Sequence, residues 1–274
     1  MNSRLDPSVP IESVTFAEIL DLDHHGPDTY VGIAPKYPWG RLFGGQVLAQ
    51  ALRAALATVD PAFAPHSLHA YFIRGGTHTE PVRFEVERLR NGDSFAARSV
   101  VARQSSGAIL HLSASFQIAE VAADVSPIPM PAAKPPETGK DMGWGNLVER
   151  RMVSRENGHV QMWVRMVETP PFTDLGLAAC ALAFLSDTLM SEPPRSLHPK
   201  QIRRSEQTKA FVGASLDHAM HFHRPSAPTE WILADSQTQT LVGSRGLTVG
   251  RLYSADGVHV ATCSQEVLLR ERTR

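Results

Sequence analysis

The sequence predicts an α+β fold of two tandem units, each with a helix wrapped by an antiparallel sheet. Three observations predict it: a helix that is apolar on every side, a series of strand-like segments after each of two helices, and a proline-rich stretch between the two series. A helix without a polar face cannot lie on a surface, because one side would meet water. We therefore expect a sheet to cover it.

The first unit is predicted as one helix followed by four strands. Residues 42–45 open a predicted helix that runs from residue 46 to about 59, because Ala, Leu and Gln favour a helix there, and Asp60 and Pro61 end it. Residues 91–93, Asn-Gly-Asp, join the second and third strands as a hairpin turn. This order is typical of an α+β unit. The strands are predicted at residues 67–74, 82–90, 94–103 and 108–118, after a short strand at 30–33.

Residues 120–142 have a different composition. Five prolines lie there among Ala, Ser and Lys, which is typical of an extended linker. The apolar helix follows at residues 173–190, with Thr173 or Asp174 as its cap, and residues 192–211 are predicted to be irregular. The strands of this half are predicted at residues 160–167, 214–223, 230–237, 244–253 and 258–269.

The strands of the second half repeat those of the first, which indicates an internal duplication. Residues 110–117 (LHLSASFQ) match 258–265 (VHVATCSQ), and a related strand of each half runs up to an arginine, Arg74 and Arg224. The expected domains are an N-terminal unit at 1–119, the linker at 120–142, and a C-terminal unit at 143–274 that carries the catalytic residues.

The composition excludes several classes of protein. A formal net charge of -1 argues against a nucleic-acid or anionic-membrane partner. Cys180 and Cys263 form no CxxC pair, which excludes a disulfide framework and a thiolate zinc site and suits a reducing compartment. We find no signal peptide in residues 1–20 and expect no stretch that could span a bilayer, hence no membrane insertion. The expected location is the cytoplasm.

Asp187 is the one charge inside the apolar helix. Counting back by three and four places it on a face with Phe184 and Ala183. An unpaired buried carboxylate is costly, so it must have hydrogen-bonding partners, hold a proton, or open onto a cleft. Two interpretations follow: the last turn of the helix emerges into solvent, or the group is a buried acid or base. The related first helix has no acid, which suggests that one half carries the chemistry.

Two strands of the second half offer partners for this acid. Alternation would place Ser215 on one strand face with Asp217, Ala219, His221 and His223. Gln265 shares a face of the last strand with small residues and needs a partner if it is buried. A carboxylate, a hydroxyl and an amide that converge would hold a water molecule, from which the carboxylate would take a proton. The alternative is that the Ser and Gln side chains satisfy backbone groups.

Other candidate sites are weaker. His218, His221 and His223 suggest zinc, but only the last two share a strand face, so we predict no metal. The segment around Ser215 does not match the G-x-S-x-G elbow of a serine nucleophile. Gly44 and Gly45 precede a helix, where they would let a ligand approach backbone N–H groups, or would form a tight turn.

Seven sequence blocks resemble the acyl-CoA thioesterase II family. They are spread over both halves and cover most of the chain outside the linker and residues 192–211. The blocks are 42–52 (LFGGQVLAQAL), 66–76 (HSLHAYFIRGG), 89–100 (LRNGDSFAARSV), 113–117 (SASFQ), 214–225 (ASLDHAMHFHRP), 243–247 (GSRGL) and 256–266 (DGVHVATCSQE).

The resemblance implies a double hot-dog fold and the hydrolysis of fatty acyl-CoA to free fatty acid and CoA without metal or cofactor. The family's catalytic Asp, Thr or Ser, and Gln correspond to Asp187, Ser215 and Gln265. The chain departs from the usual family pattern at His221, where many relatives have an aromatic residue, and at Val267, where the usual residue is Gly. Both departures bear on substrate preference.

Two alternatives to hydrolysis stay open on the sequence. An acyl-CoA hydratase of the same fold would need an Asp with a His, which His218 or His221 could supply. A non-catalytic acyl-CoA-binding protein would use the same fold without the chemistry. Exposed sheet edges in such folds also lead us to expect a homo-oligomer, a dimer or a tetramer.

Overall fold

An antiparallel sheet curves around two long helices, which confirms the predicted α+β class. The structure is a computed structural model that describes residues 9–143, 145–167, 174–200 and 210–272. The helices are α1 (Phe16–Leu20), α2 (Gly44–Leu56), α3 (Leu175–Asp187) and α4 (Glu192–Leu197). The strands are β1 (Asp23–His24), β2 (Thr29–Gly32), β3 (Phe63–Phe72), β4 (Val82–Asn91), β5 (Phe95–Gln104), β6 (Gly107–Ile118), β7 (Lys140–Asp141), β8 (Val148–Glu156), β9 (His159–Met166), β10 (Phe211–Ser215), β11 (Asp217–Phe222), β12 (Ile232–Val242), β13 (Arg245–Ser254) and β14 (His259–Glu271).

All the strands in the described part of the chain belong to one sheet. Its order is β1-β2-β4-β5-β6-β3-β11-β14-β13-β12-β9-β8-β7, and β10 also pairs with β14. The two halves meet at β3 and β11, which are antiparallel, with Ala219 opposite His69. From this central pair the strand order is the same in both directions, β3-β6-β5-β4-β2 and β11-β14-β13-β12-β9, as expected of a duplicated sequence.

The strands alternate between a covered and an open face. In β5, for example, Ala96, Arg98, Val100 and Ala102 are buried, and the residues between them are partly exposed. This period of two places one row of side chains against the helices and the other row on the outer face. The buried guanidinium of Arg98 donates to Thr58 at 2.7 and 2.8 Å, and also to two backbone carbonyls and the Asn91 side chain.

Helices α2 and α3 each have 13 residues and pack antiparallel inside the sheet. The second residue of each helix is a glycine at a close contact with the end of the other. A Cβ on Gly45 would lie 2.6 Å from the Phe184 carbonyl oxygen, and one on Gly176 would lie 3.1 Å from the side chain of Leu56. A larger residue at either position would push the two helices apart.

The predicted elements agree with the structure at most positions and differ in three longer segments. The strand β8 was not predicted, because its alternation is masked by charged residues such as Arg150, which is buried and donates to the Thr188 carbonyl at 2.9 Å. The predicted strand 214–223 is two strands, interrupted at Leu216. The predicted irregular segment contains α4, and Asp174 caps α3 by accepting from Gly176 N at 2.7 Å. Thr173 lies outside the described residues.

One stretch in the described ranges is long and apolar enough to cross a membrane, which corrects the expectation that none is. It spans Leu175–Leu197, with a mean hydropathy of 1.3 over its most apolar window. Most of that window, 72%, is buried in the fold. Its apolar character is therefore explained by the sheet that surrounds it.

The proline-rich linker packs along the sheet. Met130 and Ala133 contact a small cluster on β9, β12 and β13 that contains Trp163, and the Trp163 indole donates to the Lys134 carbonyl at 2.8 Å. Nearer its start, the Asp124 carboxylate is bound by the Arg224 guanidinium, which donates from Nε at 2.9 and 3.1 Å. The linker is therefore fixed to the second half at both points.

Candidate active site

A cleft of about 380 Å³ opens where the two halves meet. Its walls come from the start of α2, the end of β3, the end of α3 and the strand β10. The lining includes Gly44 and Phe72 from the first half and Asp187 and Ser215 from the second. Two of the three residues of the predicted trio are therefore exposed to one cavity.

Asp187 is the last residue of α3 and is only 9% exposed. Its carboxylate accepts a hydrogen bond from Ser215 Oγ at 3.2 Å through Oδ1. The other oxygen, Oδ2, faces the start of α2, because a Cβ on Gly44 would lie 2.8 Å from it. The end of α3 does not emerge into solvent, so Asp187 is the buried group that opens onto a cleft. The corresponding last residue of α2 is Leu56.

A β-bulge directs Ser215 toward the carboxylate. Ser215 lies opposite Val267 of β14, and Ala219 lies opposite Ser264, so four steps along one strand match three along the other. The extra residue reverses the alternation between β10 and β11. The predicted common face of Ser215 with Asp217, Ala219 and His221 is therefore wrong, and Ser215 instead shares the inner side with His218.

Gln265 lies behind Ser215 and is not part of the cleft wall. Its side chain is 1% exposed and faces inward with Ala261 and Cys263, as the alternation predicts. The amide Nε2 donates to Ser215 Oγ at 2.7 Å, and Oε1 is 2.6 Å from His218 Nδ1. The three predicted residues therefore form a chain of hydrogen bonds that ends at the carboxylate.

His218 completes this chain at the buried end, and its place there was not predicted. It is fully buried, and its Nε2 is 2.9 Å from Ser186 Oγ. Burial lowers its pKa, with opposing contributions from the Asp187 charge and the Gln265 hydrogen bond, so the ring is neutral near pH 7. Because Gln265 Oε1 only accepts, a neutral His218 carries its proton on Nδ1. Strand alternation alone would place His218 on the opposite strand face from Ser215. Its position beside Gln265 follows only from the bulge.

The buried imidazole predicts a pH dependence of stability. The unfolded chain takes up a proton at His218 near pH 6.5, whereas the folded chain resists it, so the free energy of unfolding should fall as pH decreases below that value. The expected loss is at most about 1.4 kcal/mol per pH unit. Urea unfolding at pH 7.5 and pH 5.5 should show a smaller loss in His218→Asn than in the wild type.

Three other histidines with lowered pKa values remain in both proteins, so this comparison isolates His218. Burial also lowers the pKa of His66, His223 and His259, and those residues are the same in the variant. An equal loss of stability in the two proteins would contradict the conclusion that His218 is neutral and resists protonation in the folded chain.

The two glycines of the predicted ligand-binding turn have different surroundings. They are the first two residues of α2 and do not precede the helix. Gly44 lines the cleft beside Asp187, whereas Gly45 packs against Phe43 and the Phe184 backbone. The first N–H groups of a helix have no carbonyl partner within it and carry the positive end of its dipole. The end of the cleft at Gly44 is therefore suited to an oxygen that gains negative charge.

The remaining candidate groups lie away from the cleft. His221 is exposed, and His223 contacts Thr262 at 2.9 Å. No group of three or more His, Cys, Asp or Glu side chains suited to a metal occurs within the described ranges. Cys180 and Cys263 are free thiols whose pKa burial raises to about 12, which leaves them unreactive.

Comparison with known proteins gives matches over both halves. Residues 33–117 match the model of an acyl-CoA thioesterase N-terminal domain and residues 122–269 that of an acyl-CoA thioesterase C-terminal domain. Human acyl-coenzyme A thioesterase 8 is 32% identical over 97% of this chain and 92% of its own length.

Solved structures give the same result. The acyl-CoA thioesterase II TesB2 from Mycobacterium marinum is 36% identical, with a TM-score of 0.83 over 93% of this chain and 98% of that one. A protein of unknown function with a hot dog fold from Alicyclobacillus acidocaldarius has a TM-score of 0.76 at 18% identity, over 94% of this chain and 98% of that one. The predicted double hot-dog fold is confirmed.

Proposed function

The chain belongs to the acyl-CoA thioesterase II family and is an acyl-CoA thioester hydrolase; on that premise we propose that it cleaves fatty acyl-CoA with a water molecule activated at Asp187. The observation that carries the proposal is a carboxylate in the wall of a cleft, held by a hydroxyl at 3.2 Å. A thioester carbonyl is electrophilic and CoA thiolate is a good leaving group, so one weak base suffices.

In this proposal Asp187 takes the proton of the attacking water. The water lies in the cleft between the carboxylate and Ser215 Oγ, where both oxygens can hold it. Its oxygen attacks the carbonyl carbon, the carbonyl oxygen becomes an oxyanion, and the C–S bond then breaks to release CoA thiolate. The proton on Asp187 passes to the thiolate or to solvent, and the free acid leaves.

The start of α2 is the proposed site for the oxyanion. Gly44 is the first residue of this 13-residue helix and lines the cleft beside Asp187. Backbone N–H groups at a helix start are fixed in direction before the substrate arrives, so they stabilise the developing charge without rearrangement. Because glycine has no side chain, the thioester can approach this backbone closely.

Gln265 and His218 act through Ser215 in our proposal and are positioning residues. The His218 Nδ1–H donates to Gln265 Oε1, and this fixes which end of the amide faces Ser215. The Gln265 Nε2–H then donates to Ser215 Oγ, so the hydroxyl must turn its own proton toward Asp187. The chain of hydrogen bonds therefore sets the direction of a hydroxyl that would otherwise rotate.

Neither histidine supports the hydratase alternative. A hydratase needs an imidazole that faces the acyl chain, but His218 is fully buried behind Gln265, and His221 is an exposed residue that does not line the cleft. The non-catalytic alternative is also not favoured, since the relatives matched over both halves are thioesterases.

A thiol-release assay tests the proposed function. The purified protein is given saturated acyl-CoAs of increasing chain length, and free CoA is measured with DTNB. We expect release with at least part of the series, and no loss of the double bond from an enoyl-CoA in a parallel assay. Tight binding of acyl-CoA without thiol release would contradict the proposal and favour a binding protein.

Gly44→Ala should lower the activity of the enzyme without unfolding it. The added methyl group would lie 2.8 Å from both Asp187 Oδ2 and the Phe72 ring, so the carboxylate must move. A misplacement of about 1 Å at a reacting group costs up to about 100-fold in rate, and we expect a fall in kcat of about 10- to 100-fold.

A second glycine provides the control for this prediction. Gly143→Ala would bring its methyl group 3.0 Å from a flexible oxygen of Asp141, outside the cleft, and should leave kcat unchanged. Circular dichroism checks that both variants fold. Wild-type turnover by Gly44→Ala would show that the position of this carboxylate does not matter.

We also propose a cytoplasmic location and a homo-oligomeric state, a dimer or a tetramer. Two free cysteines in the described residues, both buried, suit a reducing compartment. Exposed apolar side chains at the end of β3, Tyr71 at 55% and Ile73 at 48%, would suit contact with a second copy.

A further inference from the structure

The cleft has more positive charge than the reaction at Asp187 requires. Arg41, Arg74 and Arg195 line it, and Asp187 is the only acid among the described residues of its lining. The chain as a whole has a formal net charge of -1, so this concentration of arginines is a local feature. A cleft lined by one sign of charge attracts ligands of the opposite sign.

Arg74 follows Phe72 by two residues, and Phe72 lies beside the proposed reacting centre. The Phe72 ring is close to Gly44 at the Asp187 carboxylate, and the chain then runs outward to Arg74 along the cleft wall. The Arg74 side chain donates to the Ser106 carbonyl, and Arg41 reaches the Gly213 carbonyl at 3.5 Å. Arg41 and Arg74 are both exposed residues that line the cleft.

The second half contains an arginine, Arg224, at the position equivalent to Arg74. The N–H groups of Ile73 and Arg74 both approach the Ile109 carbonyl, at 2.9 and 3.4 Å. The N–H groups of His223 and Arg224 approach the Val260 carbonyl in the same way, at 2.8 and 3.3 Å. Arg74 and Arg224 therefore occupy equivalent places in the two halves.

Arg224 binds a carboxylate from the linker. Its Nε donates to both oxygens of Asp124 from the linker, and the guanidinium holds the pKa of that carboxyl below its usual range. In the second half, therefore, this arginine is paired with a carboxylate from the linker. The equivalent arginine in the catalytic cleft has the same geometry available for an anion that arrives from solution.

We propose that Arg74, with Arg41, binds the phosphate groups of the CoA nucleotide at the exposed end of the cleft. The inference rests on the proposed function, which fixes CoA as the leaving group. Planar guanidinium groups bind phosphate oxygens in pairs, which fixes the nucleotide while the pantetheine arm reaches inward to Asp187. This binding is the same in the ground state and the transition state, so it lowers KM and leaves kcat unchanged.

The test compares two substrates with the same acyl chain. One is acyl-CoA and the other is S-acyl pantetheine, which lacks the nucleotide and its phosphates. In Arg74→Glu we expect KM for acyl-CoA to rise by about tenfold or more. We expect KM for the pantetheine ester, and kcat for both substrates, to change by less than about twofold. Arg90→Glu, an exposed arginine of β4 outside the cleft, is the matched control and should behave as the wild type.

A binding experiment separates this inference from the proposed function. Adenosine 3′,5′-bisphosphate, titrated calorimetrically, should bind the wild type and Arg90→Glu and bind Arg74→Glu at least about tenfold more weakly. A KM that rises equally for both substrates, or equal nucleotide affinity in all three proteins, would overturn the phosphate site. If the wild type released no thiol but bound the nucleotide through Arg74, only the hydrolytic assignment would fail.

Discussion

Asp187→Asn is expected to lower kcat by about 10²- to 10⁴-fold, the largest effect of any single change in the cleft. The amide has the shape of the carboxylate and can still accept from Ser215, but it cannot take a proton from water. Activity is measured by thiol release at saturating acyl-CoA. Because the side chain is 9% exposed and the same size is kept, the melting temperature should change little.

The same chemical change at the other end of α3 provides the control. Asp174 caps this helix through its side-chain oxygen, and asparagine caps helices equally well. Asp174→Asn should therefore retain wild-type activity. If Asp187→Asn hydrolysed acyl-CoA at the wild-type rate, Asp187 could not be the base. Oxygen-18 from water in a single turnover would enter the acid product directly if Asp187 is a base, and would enter Asp187 itself if it is a nucleophile.

His218→Leu is expected to lower kcat by about 10- to 100-fold with KM unchanged, although the residue does not line the cleft. The leucine removes the N–H donor to Gln265 Oε1, so the amide can rotate and Ser215 loses its orientation. His218→Asn keeps an N–H donor near the place of Nδ1, so it should recover most of the lost rate. Circular dichroism and urea unfolding check that both variants fold.

A double-mutant cycle distinguishes positioning from general damage to the core. If His218 acts only through Gln265, then adding His218→Leu to Gln265→Ala should lower kcat by less than about twofold further. A loss in the double variant equal to the product of the two single losses would show that His218 acts independently. An equal loss in His218→Asn and His218→Leu would also contradict the proposed role.

Local composition and periodicity were sufficient to predict most of the elements. The helix α3 has no polar face, and β5 and β14 alternate cleanly, so their burial follows from the order of their residues. The strand β8 was missed because charged residues such as Arg150 hide its alternation. A buried arginine is stable only where carbonyl groups from other segments are placed to accept from it, and sequence spacing does not reveal them.

The candidate site could be predicted residue by residue but not as an arrangement. Asp187 stands out as the one charge in an apolar helix, and the family resemblance adds Ser215 and Gln265. The bulge between β10 and β11 depends on the register of two strands far apart in sequence, so alternation gave Ser215 the wrong neighbours. For the same reason His218 was predicted to face away from a hydroxyl with which it shares a hydrogen-bond chain.

The last residues of α2 and α3 show what becomes possible when two copies of a unit are joined in one chain. In a pair of identical chains every substitution happens twice, so an acid introduced at one helix terminus also appears at the other. Here α2 ends in Leu56 and α3 ends in Asp187, within one polypeptide. Each copy is free to diverge, so one helix can end in a carboxylate and the other in an apolar side chain. Asymmetry of this kind is possible only once both copies are encoded separately.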